Sequence, residues 1–243
     1  MQKLKQIYRS SYAGESVVTS LTYENADWTT ETEYVPNSVF NTHTTTQAVA
    51  IGNGESRLGF DLNHVLLHQA GFGGVDSLQT YGCNALYRDF SPDVLIATDE
   101  GISTEIQASG YAKNNEFYTR KPLPDSGAKK ITLNYGWSSG PIALSYASVP
   151  TNMKTIYILG FDFAGLDKKF NNVYADTKHY KKSTEPETYF GNWVDQTQTV
   201  IKQYPKINYI RVTAENGVVP DKFKNIANLL HWDKAKFLEA INN

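Results

Sequence analysis

The sequence predicts an α/β fold: a Rossmann-like, mainly parallel twisted sheet flanked by helices, with an irregular N-terminal arm. Short apolar runs alternate along the chain with segments of helical spacing, and strands that alternate with helices pair in parallel through right-handed crossovers. The apolar runs are continuous, as expected of strands buried on both faces. In residues 48–57, AVAIGNGESR, such a run ends abruptly in a glycine-rich turn, where the backbone can approach a ligand closely.

The first 46 residues differ in composition from the rest of the chain. Threonines crowd this segment, which lacks helical periodicity, and residues 17–23 favour a β-strand. Pro36 and Asn37 are turn signals. We therefore expect residues 1–46 to form an irregular arm with one or two short strands. The arm would either pack on the main domain, residues 47–243, or cover a partner subunit.

The strands of the main domain are predicted from apolar runs of strand length. The strongest of these runs, at residues 155–160, is followed by Phe161, Asp162 and Phe163. Turn residues or polar clusters bound the other runs. The predicted strands span residues 47–51, 78–83, 93–98, 130–133, 155–160 and 207–212.

The helices between these strands are predicted from apolar spacing and from start and stop signals. Gly71 follows the first helical segment, a Ser-Ser-Gly sequence opens the third, and Pro205 closes the fourth. The predicted helices span residues 58–69, 103–112, 138–149, 193–204, 221–230 and 234–241.

Charge and cysteine content bear on the broad class of the protein. The net charge of −2 gives no signal for nucleic-acid binding. Cys83 is the one cysteine in the sequence, so no intrachain disulfide can form, which fits a reducing compartment. No stretch approaches the ~20 consecutive apolar residues of a membrane span. The N-terminus lacks the apolar core of a secretory signal. We expect a cytoplasmic protein and leave homo-oligomerisation open.

Metal-ligand patterns are sparse. His64 and His68 have i, i+4 spacing on the predicted first helix, but no Glu follows His64 as it does in metalloproteases, so a packing pair is the preferred interpretation. Asp99, at the end of the third strand, has two open interpretations. It could bind a ribose hydroxyl or a cation, or it could cap the following helix. We predict no metal site.

Four motifs stand at or just after strand ends, where ligands bind in open α/β sheets. The first is the turn Gly52-Asn53-Gly54-Glu55-Ser56, which is not the dinucleotide fingerprint because Arg57 occupies the position of its third glycine. This turn could offer backbone N–H groups to phosphate, or it could be purely structural. The other three motifs are Cys83-Asn84, Ser138-Ser139-Gly140, and Gly160-Phe161-Asp162-Phe163 with Tyr174-Ala175 after it.

Taken in this order, the motifs resemble those of the bacterial sialyltransferase family that includes the Campylobacter lipooligosaccharide enzymes. They also resemble the related Rossmann-like proteins grouped as the domain of unknown function DUF115. The resemblance covers about residues 47–215. The sequence Tyr34-Val35-Pro36-Asn37 also resembles proteins of marine viruses. The matching residues are Gly52, Asn53, Gly54, Ser56, Cys83, Asn84, Ser139, Gly140, Gly160, Asp162, Phe163, Tyr174 and Ala175.

The resemblance implies a transferase fold that binds a cytidine nucleotide sugar without an essential metal or other cofactor. Asn53 and Asn84 match the family's nucleotide-contacting asparagines. Residues 138–140 match its substrate-binding helix start. Tyr174 matches one of two tyrosines that hydrogen-bond the leaving phosphate, whose charge a hydroxyl donor can stabilise without a cation.

Two positions depart from the family pattern. Ala164 stands where the second leaving-group tyrosine is expected, and Asn192 stands where the family has its basic histidine. Asparagine cannot act as a base near neutral pH. His179 and Asp99 are therefore the candidates for acid/base work.

The leading hypothesis is a glycosyltransferase-like enzyme that binds a nucleotide sugar and transfers its sugar to an unidentified acceptor. One alternative is a Mg²⁺-dependent phosphoryl or pyrophosphoryl transferase of the DUF115 type, in which Asp99 and Asp162 hold the metal. The other is a nucleotide-binding protein without catalytic activity, which the asparagine at position 192 favours.

Overall fold

The first strands of the chain form an antiparallel sheet of their own. In the computed structural model, which describes residues 3–9, 18–36, 46–60, 62, 78–163, 169–214 and 217–242, these strands are β1 (Lys3–Arg9), β2 (Val18–Glu24) and β3 (Thr30–Pro36). They pair in the order β1-β2-β3. The arm thus holds three strands, where we expected one or two. Its β-branched threonines explain the difference, because they suit a pleated surface.

A second sheet of eight strands carries the main domain, and all its strand pairs are parallel. This sheet confirms the predicted Rossmann-like α/β class. The strand order is β11-β10-β9-β4-β5-β6-β7-β8. The strands are β4 (Gln47–Ile51), β5 (Leu78–Cys83), β6 (Val94–Ala97), β7 (Glu116–Thr119), β8 (Lys129–Lys130), β9 (Thr155–Leu159), β10 (Asn208–Val212) and β11 (Leu229–Trp232).

Helices cover both faces of this sheet, which explains its continuous apolar strands. In β4, Ala48 and Ala50 belong to one buried cluster, whereas Val49 and Ile51 belong to the cluster on the opposite face. This alternation follows from the two-residue period of a strand. The helices are α1 (Glu100–Ala108), α2 (Tyr111–Asn114), α3 (Ser139–Ser148), α4 (Gly191–Gln203) and α5 (Lys234–Asn242).

The order in which strands are added to the sheet reverses at β4. From this strand the chain moves outward through β5, β6, β7 and β8, and then crosses back so that β9 pairs with the other side of β4. Read as β6-β5-β4-β9-β10-β11, the six strands on one side of β7 have the order 3-2-1-4-5-6 of dinucleotide-binding Rossmann domains. Ligands of such sheets bind beyond the carboxyl ends of the two strands at the reversal.

Several elements differ from their predictions. The helix expected at 221–230 is wrong: Asp221–Phe223 form a single 3₁₀ turn, and Leu229–Trp232 form an edge strand that gains backbone pairing with β10. The strand expected at 130–133 shortens to Lys129–Lys130. The helix expected at 58–69, with His64, His68 and Gly71, falls mostly outside the described residues. In the described part of the chain, no helix is long and apolar enough to cross a membrane.

Candidate functional site

A cavity of about 370 Å³ lies at the carboxyl ends of β4 and β9, at the reversal of the sheet. It brings together nine of the eleven predicted site residues from distant parts of the sequence. Ser56 and Tyr174 are not among the described residues that line it. Those nine lining residues are Gly52, Asn53, Gly54, Asn84, Asp99, Ser138, Ser139, Gly140 and His179.

The glycine turn after β4 packs tightly against the turn after β9. Gly52 N donates to Leu159 O at 2.8 Å, and Gly54 N donates to Gly160 O at 2.9 Å. A Cβ atom on Gly52 would lie 2.5 Å from Gly160 O, and one on Gly54 would lie 2.5 Å from Asp162 Oδ2. Glycine is therefore required at both positions because of the close approach of two backbone segments.

Four of the five N–H groups in the turn at residues 52–56 are used within the protein. Besides the two glycine N–H groups, Glu55 N donates to Asn171 Oδ1 at 2.7 Å and Ser56 N donates to Asp162 Oδ2 at 2.8 Å. The turn continues into a short 3₁₀ turn at Glu55–Arg57 and not directly into a long helix. Of the two interpretations of this motif, the geometry favours the structural turn over a phosphate cradle.

Two asparagines that line the cavity, Asn53 and Asn84, each have a buried side-chain oxygen that lacks a donor in the described part of the chain. Asn53 is only 8% exposed, and its Nδ2 donates to Cys83 O at 3.4 Å. The buried Oδ1 atoms of Asn53 and Asn84 have no hydrogen-bond partner in the described part of the chain. A buried acceptor without a donor costs about 1–3 kcal/mol, so a ligand that supplies donors here would relieve that cost.

The start of α3 forms another wall of the cavity. Ser139 Oγ accepts a hydrogen bond from Thr98 N at 2.9 Å and pairs with the Thr98 hydroxyl at 2.8 Å, which ties α3 to the end of β6. Ser138 N donates to Gln196 Oε1 at 3.0 Å. The serine side chain at 139 is thus structural. The first N–H groups of a helix lack intrahelical acceptors, and the helix dipole there favours an anion.

The loop before α4, residues 169–190, lines one side of the cavity and contacts α1 through Glu105. The Glu105 carboxylate accepts hydrogen bonds from Tyr87 Oη at 2.6 Å and Arg88 Nη2 at 2.6 Å, and it lies 3.3 Å from His179 Nε2. Arg88 also donates to Thr177 Oγ1 at 3.0 Å on this loop. Burial raises the pKa of Glu105, but the hydrogen bonds from Tyr87 and Arg88 outweigh burial, so the pKa is lowered from its ordinary value.

Replacing Glu105 with Gln should loosen this loop, because the carboxylate that receives Arg88 and faces His179 is lost. We expect faster tryptic cleavage after Lys178 and Lys181 than in the wild type. Glu100→Gln is the matched control, since Glu100 lies on the same helix with its side chain 82% exposed. Equal cleavage rates in the two variants would contradict the role given to Glu105.

The contribution of Glu105 should also depend on pH. Because its folded-state pKa is lowered, the carboxylate stabilises the fold above its unfolded pKa, and this stabilisation is lost as pH falls through the folded pKa. The difference in urea midpoint between wild type and Glu105→Gln should therefore shrink as the pH is lowered from about 5 to about 3. A difference that stays constant over this range would contradict the assignment.

Tyr174 lies away from the cavity, in a contact with Arg57 and Asp89. Its hydroxyl donates to the Asp89 carboxylate and accepts from Arg57 Nη2 at 3.0 Å, and these three residues line a second, shallower depression. Burial raises the pKa of Tyr174 far above its ordinary value. Since this hydroxyl is committed within the protein, we leave Tyr174 out of the proposed site, and its family role stays a prediction.

Asp99 lines the cavity at the N-cap position of α1 but makes no side-chain capping hydrogen bond. The carboxylate of Asp162 fixes the glycine turn through Ser56 N. In the described residues, no three His, Cys, Asp or Glu side chains are grouped as an all-protein metal site requires. Asp99 and Asp162 both line the cavity, and one or two carboxylates suffice for a Mg²⁺ that also binds substrate phosphates, so the Mg²⁺-dependent alternative stays a prediction.

Three other residues bear on the family comparison and on nucleophilic chemistry. Asn192, at the family's base position, lies exposed in the first turn of α4 and is not among the described lining residues. Ala164 lies outside the described residues. Burial raises the pKa of Cys83 to about 12, so this thiol is not a nucleophile near neutral pH.

Sequence reasoning named Phe161 and Phe163 in the fourth motif without giving them a role, and it missed the rest of the aromatic wall of the cavity and one lysine. Phe161, Phe163 and Phe170 line it together with Phe190 and Trp193, and Lys181 lines it from the loop. Two of these residues follow a strongly apolar strand, which is a usable signal. Phe170 and Lys181 lie in a loop, where no periodicity indicates the direction of a side chain, whereas Trp193 lies in the first turn of α4 and Phe190 at its N-cap.

The fold and the cavity together define a Rossmann-like protein with a ligand-sized cavity at the reversal of its sheet. Comparison with known proteins adds no relative: no family model, no curated protein and no solved structure matches the chain.

Proposed function

We propose that the chain binds a nucleotide sugar in this cavity and transfers the sugar to an acceptor, in the manner of a sialyltransferase-like glycosyltransferase. The observation that carries the proposal is the pair of buried carboxamide oxygens of Asn53 and Asn84 at the sheet reversal, neither of which has a hydrogen-bond partner among the described residues. Both atoms are acceptors, so they select a ligand rich in donors. Ribose hydroxyls and the amino group of a base are such donors, and the aromatic wall suits a flat base or a sugar ring.

The chemistry assigned to the site is a substitution at the sugar. The bond between the anomeric carbon and the phosphate oxygen breaks, and its electron pair stays on the phosphate. The acceptor hydroxyl oxygen forms the new bond and gives its proton to a base. His179 fits this role because Nε2–H can donate to Glu105, which leaves Nδ1 as the proton acceptor. Asp99 is the second candidate, since its carboxylate lines the cavity and makes no capping hydrogen bond to α1.

Removing the Asn84 carboxamide tests the binding step. Asn84 has a left-handed backbone with φ of 53°, so Asn84→Gly removes the side chain without the strain that alanine would add. We expect nucleotide affinity to fall about tenfold, since one hydrogen bond is lost and its partner is left unsatisfied. Isothermal titration calorimetry with CMP, UMP, GMP and AMP, each with and without Mg²⁺, measures the loss.

Asn208→Ala is the matched control for this experiment, because its exposed side chain lies at the start of β10, at the opposite edge of the sheet. Unchanged affinity in Asn84→Gly would remove Asn84 from the site. Binding that requires Mg²⁺ would favour the phosphoryl-transfer alternative. Binding of nucleotide sugars without release of nucleotide in the presence of saccharide acceptors would favour the non-catalytic alternative. No binding of any nucleotide would contradict the proposal.

A further inference from the structure

Lys181 is the one lysine, and there is no arginine, among the described residues that line the cavity. Its Nζ lies 5.9 Å from the centroid of the Phe170 ring, which also lines the cavity. Lys178, three residues earlier, lies 3.8 Å from the Glu105 carboxylate. No carboxylate in the described part of the chain lies within ion-pair distance of Lys181, so its charge is available to a ligand.

The cavity needs a positive group if an anion is to bind there. Three of its described lining residues are carboxylates, namely Asp99, Asp162 and Glu187. They would repel a phosphate, and four of the five N–H groups in the turn at residues 52–56 already donate within the protein. The hydroxyl of Tyr174 is engaged with Asp89 and does not reach the cavity lining.

We propose that Lys181, together with the first turn of α3, holds the phosphate of the bound nucleotide, while Asn53 and Asn84 hold its nucleoside. The inference rests on the proposed function and assigns a role to a residue that the sequence motifs did not indicate. The first turn of α3 lines the same cavity and presents its dipole to an anion. The buried, unpartnered oxygen of Asn53 is the independent sign that a ligand occupies this space.

A phosphate-specific loss of affinity tests the inference. Lys181→Met removes the charge and keeps most of the side-chain length. Titration calorimetry compares CMP with cytidine, or the equivalent pair if another base binds better. We expect CMP affinity to fall about tenfold and cytidine affinity to change less than about twofold, because only CMP carries the phosphate. The CMP affinity of the wild type should also fall more steeply with salt than that of the variant.

Lys182→Met is the matched control, since Lys182 is the exposed neighbour of Lys181 and is not a described lining residue. It should bind CMP as the wild type does. Equal losses for CMP and cytidine in Lys181→Met, or no loss for either, would overturn the assignment of Lys181 while leaving nucleotide binding intact. A wild-type protein that binds neither compound nor any other such pair would overturn both the inference and the proposed function.

Discussion

Replacing Gly52 with alanine should destabilise the protein by about 3 kcal/mol or more and abolish ligand binding, because the added methyl group has no room. Its Cβ would lie 2.5 Å from Gly160 O and 2.9 Å from the Phe161 ring. The carbonyl belongs to the turn after β9, so one of the two backbone segments must move. Urea denaturation followed by tryptophan fluorescence measures the loss.

Gly136→Ala provides the control for this change. A Cβ atom on Gly136 would meet nothing within 4 Å, so its stability should stay within about 0.5 kcal/mol of the wild type. If Gly52→Ala were as stable as Gly136→Ala, the close packing of the two turns would be refuted. The spacing between the two turns would then not be fixed, and the cavity that they line would have no defined shape.

The second large effect is expected for Arg211→Met. Arg211 is 2% exposed, and its guanidinium donates to Phe161 O at 2.7 Å, Val218 O at 2.9 Å and Asp162 O at 3.0 Å. Methionine would leave these three carbonyl oxygens unpaired, at a cost of about 3–5 kcal/mol in the free energy of unfolding. Since two of the carbonyls belong to the turn after β9, nucleotide affinity should fall as well.

Arg120→Met separates burial from hydrogen bonding. Arg120 also donates to backbone carbonyls, Tyr135 O at 2.9 Å and Trp137 O at 2.7 Å, but it is only partly buried. Water can replace it there, so we expect a loss of about 1 kcal/mol. Burial lowers the pKa of Arg211 to about 10 although Asp162 opposes the shift, so the side chain stays charged near neutral pH. A loss for Arg211→Met no larger than for Arg120→Met would contradict this account.

The parallel sheet could be predicted because the local sequence of its central strands, together with the turns beside them, already indicates strand structure. Gln47–Ile51 is mostly apolar and ends at a glycine turn, Leu78–Cys83 is a short segment that ends at Asn84, and the observed limits of both strands agree with the prediction. Leu229–Trp232 is four residues long and follows a charged segment, so helix and strand are equally compatible with its sequence. This segment becomes a strand because it pairs with the open edge of β10, and such a tertiary contact leaves no pattern in the local sequence.

The candidate site was predictable where strand ends determine it. Asn53 and Asn84 follow neighbouring strands of one parallel sheet, so the sheet itself places them at the same rim. The position of Tyr174 outside the described cavity lining was not predictable, for the opposite reason. Its partner Asp89 is 85 positions away in the sequence, and nothing near either residue indicates that they meet. Hydrogen bonds of this kind depend on how a loop folds back, which hydrophobic periodicity does not record.

The pairing of β4 with β9 has a consequence for folding during synthesis on the ribosome. Val49 pairs with Tyr157, so more than half of the chain must be synthesised before this edge of β4 can form its backbone hydrogen bonds. Contacts so distant along the sequence make folding slow and expose an open strand edge to other chains meanwhile. Nascent chains that stop before β9 should therefore be prone to aggregate, and the cavity at the ends of β4 and β9 can form only after synthesis has passed β9.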